Sequence, residues 1–280
     1  MCKNSEQCLS EQFIRKYLDI NSFVKNIICL DKVDSTNNYA KKLISETDAE
    51  NNVVIAEFQY SGRGRMGRTW LSPRGKGLYM SIIIKPTSVE SAVHSIPIGA
   101  SVAVARAITR LTAQVPGIKW PNDIILGGKK VSGILAEAVE DTKSENYIVL
   151  GIGVNVSHEQ NDFPEDIKNK ATSIYAFMNQ NTKNARGVNR ARLAAAIISE
   201  IDNFIGENSR EKFSAVMQQY KILSATIGKE IVVVKTDKEQ KGKAIDIADD
   251  GCLIVEYDTG EIANVLSGEV SVRGVMGYAD

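Results

Sequence analysis

A chain of 280 residues, 43% apolar and 24% charged, has the composition of an ordinary globular protein and the length for about two domains. Its 34 basic and 34 acidic residues cancel. That removes any global electrostatic argument for nucleic acid or an anionic membrane, and leaves local arginine clusters as the place to look for phosphate binding.

Other classes are excluded as quickly. No run approaches the ~20 apolar residues of a membrane span. The N-terminal MCKNSEQCLSEQF carries no apolar core of a secretory signal. Cys2, Cys8, Cys29 and Cys252 have neither metal-site spacing nor the density of a disulfide scaffold, so a reducing cytoplasm is expected. His94 and His158 stand apart and are read as structural or surface residues, not as parts of a triad or a zinc site.

In chain order, residues 1–26 are polar with a short helix expected around 10–20. IICLDKV reads as a strand, followed by a helix that Asp34 or Ser35 would cap, with Ala40, Leu43 and Ile44 on its apolar face. VVIAEF and LYMSIIIK read as strands on either side of a glycine- and arginine-rich loop. SAVHSIPIGASVAVARAITRLT is a largely apolar helix with Pro97 early in it or at its start, and KKVSGILAEAVE with NYIVLGIGVNV reads as an adjacent pair of central strands. NQNTKNARGVN is a polar loop, and RARLAAAIISEIDNFI and REKFSAVMQQYKIL are amphipathic helices. Near Ile227 the pattern changes to five short strands, KEIVVVKT, GKAIDIA, CLIVEYD, EIANVLS and VSVRG, separated by DDG and DTG turns. A small all-β barrel appended to an α+β domain fits that change of period.

The loop GRGRMGR at 62–68 satisfies the dinucleotide-binding spacing G-x-G-x-x-G. That fingerprint needs a helix directly after it, to hold pyrophosphate on the helix N-terminus. Pro73, Gly75 and Gly77 follow instead, so no βαβ unit forms, and no G-K-[ST] completes a P-loop. Two readings remain from the residues alone. One is a solvated basic hairpin. The other is a phosphate loop in which glycines bring backbone N–H groups close to an anion and Arg63, Arg65 and Arg68 supply charged forks, ordering as a lid when a phosphate-bearing ligand arrives.

Further motifs stand in a fixed order: DSTN at 34–37, QYSGRGRMGRTW at 59–70, KWPND at 119–123, KKVSGILAE at 129–137 and GIGVNV at 151–156. Together they closely resemble the biotin–protein ligases, also called biotin–[acetyl-CoA-carboxylase] ligases, from about Ile27 to the C-terminus. The resemblance implies an α+β catalytic domain with a mixed sheet, related to class II aminoacyl-tRNA synthetases, over 27–226. An SH3-like β-barrel would occupy 227–280, and residues 1–26 would form an N-terminal extension. Only 33 residues precede Asp34, too few for the winged helix-turn-helix of relatives that also repress genes. A monofunctional enzyme with no DNA or membrane partner is therefore expected, and a homodimer stays open.

The implied reaction activates biotin with ATP and Mg²⁺ to biotinyl-5′-AMP, then transfers biotin to one lysine of a biotin carboxyl carrier protein. The family's biotin contacts fall on Ser35, Thr36, Asn37, Gln59, Arg63, Gly64, Arg65 and Lys130. Short hydroxyls and amides at a helix start also suit the carbonyl and two N–H groups of a ureido ring. Gly133, Gly151 and Gly153 leave space for the biotin rings, although a glycine in a strand also marks a bulge. ATP contacts are expected from Arg65, Arg68, Trp70, Lys119, Asn122 and Asn155, with Trp70 over the adenosine and Asn155 at the adenine. Arg63, Arg65 and Lys130 would stabilise charge at the acyl and phosphate oxygens. Asp123 would orient the incoming amine or help hold magnesium. Trp120 reads as core. Lipoate or octanoate transfer is disfavoured because no RRxSGGG run is present. A non-catalytic phosphoprotein-binding module would not need Lys130 and Asp123.

Overall fold

The computed structural model describes residues 9–86, 88–181, 187–205, 209–235, 238–267 and 271–274. Seven strands form the first sheet: β1 (Asn26–Leu30), β2 (Asn52–Ala56), β3 (Gly77–Ile84), β4 (Gly117–Lys119), β5 (Asp123–Leu126), β6 (Lys129–Glu140) and β7 (Asn146–Asn155). Their spatial order is β1-β2-β3-β7-β6-β5-β4. β1 and β2 run parallel and every other pair is antiparallel, so the sheet is mixed.

Strand alternation decides which side chains meet which layer. Val53, Ile55, Ile82, Ile84, Ile148, Leu150 and Ile152 point to one face and join the main core. There α3 (Val89–Thr112), α5 (Arg190–Asp202) and α6 (Ser209–Ile222) pack together and against the sheet. Val54, Ile83, Tyr147 and Val149 point to the opposite face, beneath Ala40 and Ile44 of α2 (Thr36–Glu46). Two shorter helices, α1 (Glu11–Arg15) and α4 (Ile174–Asn181), complete this unit.

Helix α3 starts two residues before Ser91, earlier than the sequence reading, and of the two expected places for Pro97 it is the one inside the helix, where the Ser101 hydroxyl donates to the Pro97 carbonyl at 2.8 Å. It is also long and apolar enough, over Ala92–Thr112, to cross a membrane by length and composition. Its burial against β6, β7, α5 and α6 makes it the central core helix. Helix α4 and the strands β4 and β5 were not legible as elements, being short and broken by Pro121 and the Gly127–Gly128 turn.

All five C-terminal segments are strands: β8 (Glu230–Lys235), β9 (Lys238–Ile247), β10 (Leu253–Tyr257), β11 (Ile262–Val265) and β12 (Ser271–Gly274). They form an antiparallel sheet in the order β11-β10-β9-β8-β12, and among the described residues no β11–β12 pairing closes it. Ile231, Val233, Ala244, Ile247, Leu253 and Val255 belong to the same apolar cluster as α3 and the first sheet. The indole N–H of Trp120 donates to the Gly251 carbonyl at 3.0 Å, which ties this sheet to the turn before β5. Trp120 is 2% exposed, in keeping with a core role.

Candidate active site

Register places the site on the α2-bearing face of the first sheet. Ser81 of β3 pairs with Gly151 of β7, which pairs with Leu135 of β6. In the next row Tyr79 pairs with Gly153, Gly153 with Gly133, and Gly133 with Asp123. Period-2 alternation puts Ser81, Gly151, Gly153, Gly133 and Glu137 on this one face.

The glycines leave room for protein side chains. A Cβ at Gly151 would lie 2.3 Å from Asn37 Oδ1, and one at Gly153 would lie 2.5 Å from the Trp70 indole. A Cβ at Gly133 would meet both Lys130 and Trp70 at 3.0–3.1 Å. The space that the sequence reading gave to the biotin rings is thus lined, in this structure, by Asn37 and Trp70. The Trp70 indole N–H is buried and has no hydrogen-bond partner among the described residues.

At one end of the floor a buried polar network assembles from three elements. Ser35 stands at the N-cap of α2 in extended backbone geometry, but its side chain makes no capping hydrogen bond. The Thr36 backbone N–H donates to Gln59 Oε1 at 2.8 Å, and Gln59 Nε2 donates to the Ser72 hydroxyl at 2.8 Å. The Ser81 hydroxyl lies 2.7 Å from Thr36 Oγ1 and 2.6 Å from Asn37 Oδ1. Asn37 Nδ2 donates to Glu137 Oε2 at 2.8 Å, and Lys41 Nζ donates to Glu137 Oε1 at 2.7 Å. Burial works to raise the Glu137 pKa, but hydrogen bonds from Asn37 and Lys41 and the charges of Lys41 and Arg63 outweigh it and hold the carboxyl below its ordinary value.

Ser72, Ser81 and Glu137 were not singled out from the sequence. The available signal was polarity against pattern: Ser81 interrupts an otherwise apolar strand, and Glu137 shares a strand face with Gly133.

The arginine loop folds back on itself as a hairpin over this floor. Gly64 N–H donates to the Arg68 carbonyl at 2.7 Å and Trp70 N–H to the Gly62 carbonyl at 2.9 Å. Gly67 takes φ +73°, and Met66 before it adopts the left-handed region at φ 54°. Gly62 is needed for a different reason, since a Cβ there would lie 2.4 Å from the Trp70 carbonyl. Arg63 donates to Asn38 Oδ1 at 3.1 Å and lies 3.9 Å from Glu137. Arg65 turns inward and donates to Asn122 Oδ1 at 3.0 Å, and its burial lowers the guanidinium pKa from the usual value. Arg68 is exposed.

KWPND bends as expected between β4 and β5, with Lys119 and Asn122 buried. Lys130 Nζ lies 2.5 Å from Asp123 Oδ1 and 5.4 Å from the Trp70 ring centroid. Asn155 Nδ2 donates to the Thr172 carbonyl at 3.0 Å, beside the strand-like bridge between Lys130 and Ala171. The structure therefore brings Arg65, Asn122, Asp123, Lys130 and Trp70 together at one end, with Thr36, Asn37 and Gln59 at the other. Among the described residues no group of three or more His, Cys, Asp or Glu could hold a metal ion. Burial pushes the Cys29 thiol up to about 12 and that of Cys252 up to about 11, so neither is an activated nucleophile.

Comparison with known proteins identifies the framework that carries these residues. Residues 29–155 match the biotin/lipoate A/B protein ligase family model and residues 226–273 match the biotin protein ligase C-terminal domain. The bifunctional ligase/repressor BirA of Bacillus subtilis is 30% identical over 264 residues, spanning 94% of this chain and 79% of the relative. The biotin–[acetyl-CoA-carboxylase] ligase of Mycobacterium tuberculosis is 30% identical over 81% of this chain and 80% of its own length. Among solved structures, biotin protein ligase from Aquifex aeolicus in complex with biotin and ATP superposes with a TM-score of 0.75 at 28% identity, covering 89% of this chain and 99% of that one. The polar pocket, the arginine hairpin and the Lys130–Asp123 pair thus sit on a shared framework, and the chain belongs to the biotin protein ligase family.

Proposed function

We propose that this chain activates biotin with ATP to biotinyl-5′-AMP and then transfers the biotinyl group to one lysine of a biotin carboxyl carrier protein. The observation that carries this reading is the junction of two unlike environments on one sheet face: a neutral amide and hydroxyl pocket at Thr36, Asn37 and Gln59, and a cationic end at Arg65 and Lys130. The first suits a ureido bicycle and the second an acyl phosphate.

In the first step the biotin carboxylate attacks the α-phosphorus and pyrophosphate leaves. Arg63, Arg65 and Lys130 offset the negative charge gathered there, and Arg68 lies in the same hairpin for the outer phosphates. In the second step the carrier amine attacks the acyl carbon and AMP leaves with the bonding pair. Asp123, which faces Lys130, would orient that amine and take up its proton. A ligand occupying the floor at Gly133 and Gly153 would displace the Trp70 indole that lies against both glycines, and the same side chain would then cover the adenosine.

Asp123 is the carboxylate of the proposed nucleotide end that would help hold magnesium, which would neutralise phosphate charge there. The finer architecture follows the same reading: residues 27–226 as a class II synthetase-like catalytic domain and 227–280 as an SH3-like domain after an N-terminal extension.

ATP–pyrophosphate exchange measured with biotin, lipoate and octanoate side by side tests the assignment. Exchange should depend on biotin, and exchange driven by lipoate or octanoate alone would refute it.

A further inference from the structure

Glu137 closes the motif KKVSGILAE, yet no step of the chemistry above uses it. Its surroundings give it a definite task. The carboxylate can only accept hydrogen bonds, and it accepts from Asn37 Nδ2 at 2.8 Å. That fixes which end of the Asn37 amide faces which neighbour, so Asn37 Oδ1 is turned to the Ser81 hydroxyl, 2.6 Å away. An amide oxygen also only accepts, so the single Ser81 proton is committed to it. At the 2.7 Å contact between Ser81 Oγ and Thr36 Oγ1, Ser81 is left to accept, and the Thr36 proton points into the network. Gln59 Oε1, 3.1 Å from the same hydroxyl, is a second acceptor inside the network, and it is already oriented by the Thr36 backbone N–H.

On this chain of constraints we propose that Glu137 is a positioning residue for substrate recognition: through Asn37 and Ser81 it sets the direction of a buried hydrogen-bond relay, so that Thr36 Oγ1 meets the ligand as an acceptor. An acceptor-only hydroxyl favours a ligand that brings N–H donors, as a ureido ring does, over an acyl group of similar size without them. Lys41 keeps Glu137 ionised and in place, with Arg63 as the other cation facing it. Thr36, Asn37 and Ser81 are each at most 4% exposed, so water does not compete for the relay's direction. The inference rests on the biotin-activation reading and names one source of its selectivity.

The test uses the full chain and the exchange assay. Glu137→Leu removes the terminal acceptor, Ser81→Ala cuts the relay in its middle, and Glu137→Gln keeps an oxygen that still accepts from Asn37. Each variant is first shown to melt cooperatively. The KM for biotin should rise about 10-fold in Glu137→Leu and Ser81→Ala, the scale of one misdirected buried hydrogen bond. The KM for ATP and kcat should stay within about twofold, and Glu137→Gln should recover most of the loss. Loss of packing alone would move both substrates together and would not be rescued by Gln. Should Glu137→Leu not fold, Ser81→Ala and Glu137→Gln decide on the same measurement. An unchanged biotin KM in the folded variants, or equal rises for biotin and ATP, overturns the relay while leaving the function intact. A wild-type protein inert to biotin sinks both.

Discussion

Lys130 Nζ and Asp123 Oδ1 lie 2.5 Å apart on the β5–β6 hairpin, so the cation proposed for the acyl phosphate and the carboxylate proposed for the amine are held by each other. The pairing separates the two half-reactions in a testable way. Lys130→Gln should depress biotin-dependent pyrophosphate exchange by ~10²–10³, the cost of removing one preorganised charge from a developing oxyanion. Asp123→Asn should leave exchange within about 10-fold and slow single-turnover transfer from preformed biotinyl-AMP to the carrier by ~10²–10³. Equal losses in both steps for both variants would refute separate roles.

Arg65 reaches Asn122 across the mouth of the site, the one arginine of the hairpin drawn inward. If it grips the adenylate, Arg65→Ala should release biotinyl-AMP into solution and permit unselective labelling of lysines on bystander proteins. The free intermediate can be trapped with hydroxylamine and counted. Tight retention in the variant, with carrier labelling intact, would assign the grip elsewhere.

The distribution of what could be read from sequence follows from the range of each interaction. The helix at 190–202, the central strands β6 and β7 and the C-terminal strands were legible because local periodicity encodes them. The arginine loop was legible as something other than a dinucleotide turn because Pro73 and Gly75 forbid the following helix. Glu137 was not legible as a partner of Asn37: they are 100 residues apart, and only the register of β3, β7 and β6 brings them together. For the same reason the neighbours of Gly151 and Gly153 could not be named. A glycine announces that something approaches closely, and the fold decides that it is Asn37 and Trp70.

Gly153 and Trp70 supply an optical test of ligand entry. Trp70 lies against Gly153 with its N–H buried, and Trp120 is the other tryptophan. In a Trp120→Phe background, biotin with ATP should shift the Trp70 emission as the indole leaves the glycine floor for a new environment. Gly153→Val should displace the indole in advance and abolish most of that shift. Identical emission with and without ligands would show that Trp70 stays where it is.

His158 sets an acid limit on stability. It is fully buried against Phe163, neither ring nitrogen has a partner among the described residues, and burial brings its pKa down to about 4 from 6.5, with Asp162 opposing and Lys76 reinforcing. The folded state therefore favours the neutral ring. That contribution is complete above ~pH 6.5, the unfolded value, and is lost as pH falls toward the folded value near 4. Integrated over the window it amounts to about 3 kcal/mol. Urea unfolding of His158→Phe should show less destabilisation between pH 7.5 and 4.5 than the wild type shows. Parallel pH dependences would place the acid sensitivity in other groups.

The C-terminal sheet meets the site through Trp120, the second residue of KWPND. Its indole donates to Gly251 at 3.0 Å and its backbone N–H to Thr226 Oγ1 at 2.9 Å, while the turn it belongs to carries Asn122 and Asp123. Two roles for the sheet predict different behaviour of Trp120→Phe, which preserves the apolar volume and deletes the indole hydrogen bond. A packing appendage would lose about 1 kcal/mol of stability and nothing else. A buttress for the catalytic turn would lose the same stability and also let Asp123 drift from its partner, where a displacement of about 1 Å suffices for a ~10²-fold effect on rate. The contact geometry favours the buttress, so transfer to the carrier should slow by at least ~10-fold at a temperature where both proteins are fully folded, about 1.4 kcal/mol of transition-state stabilisation. Biotin affinity should be unchanged, because the polar network at Thr36 and Gln59 lies at the far end of the sheet face. A variant with lowered melting temperature and undiminished transfer would leave the C-terminal sheet with packing alone.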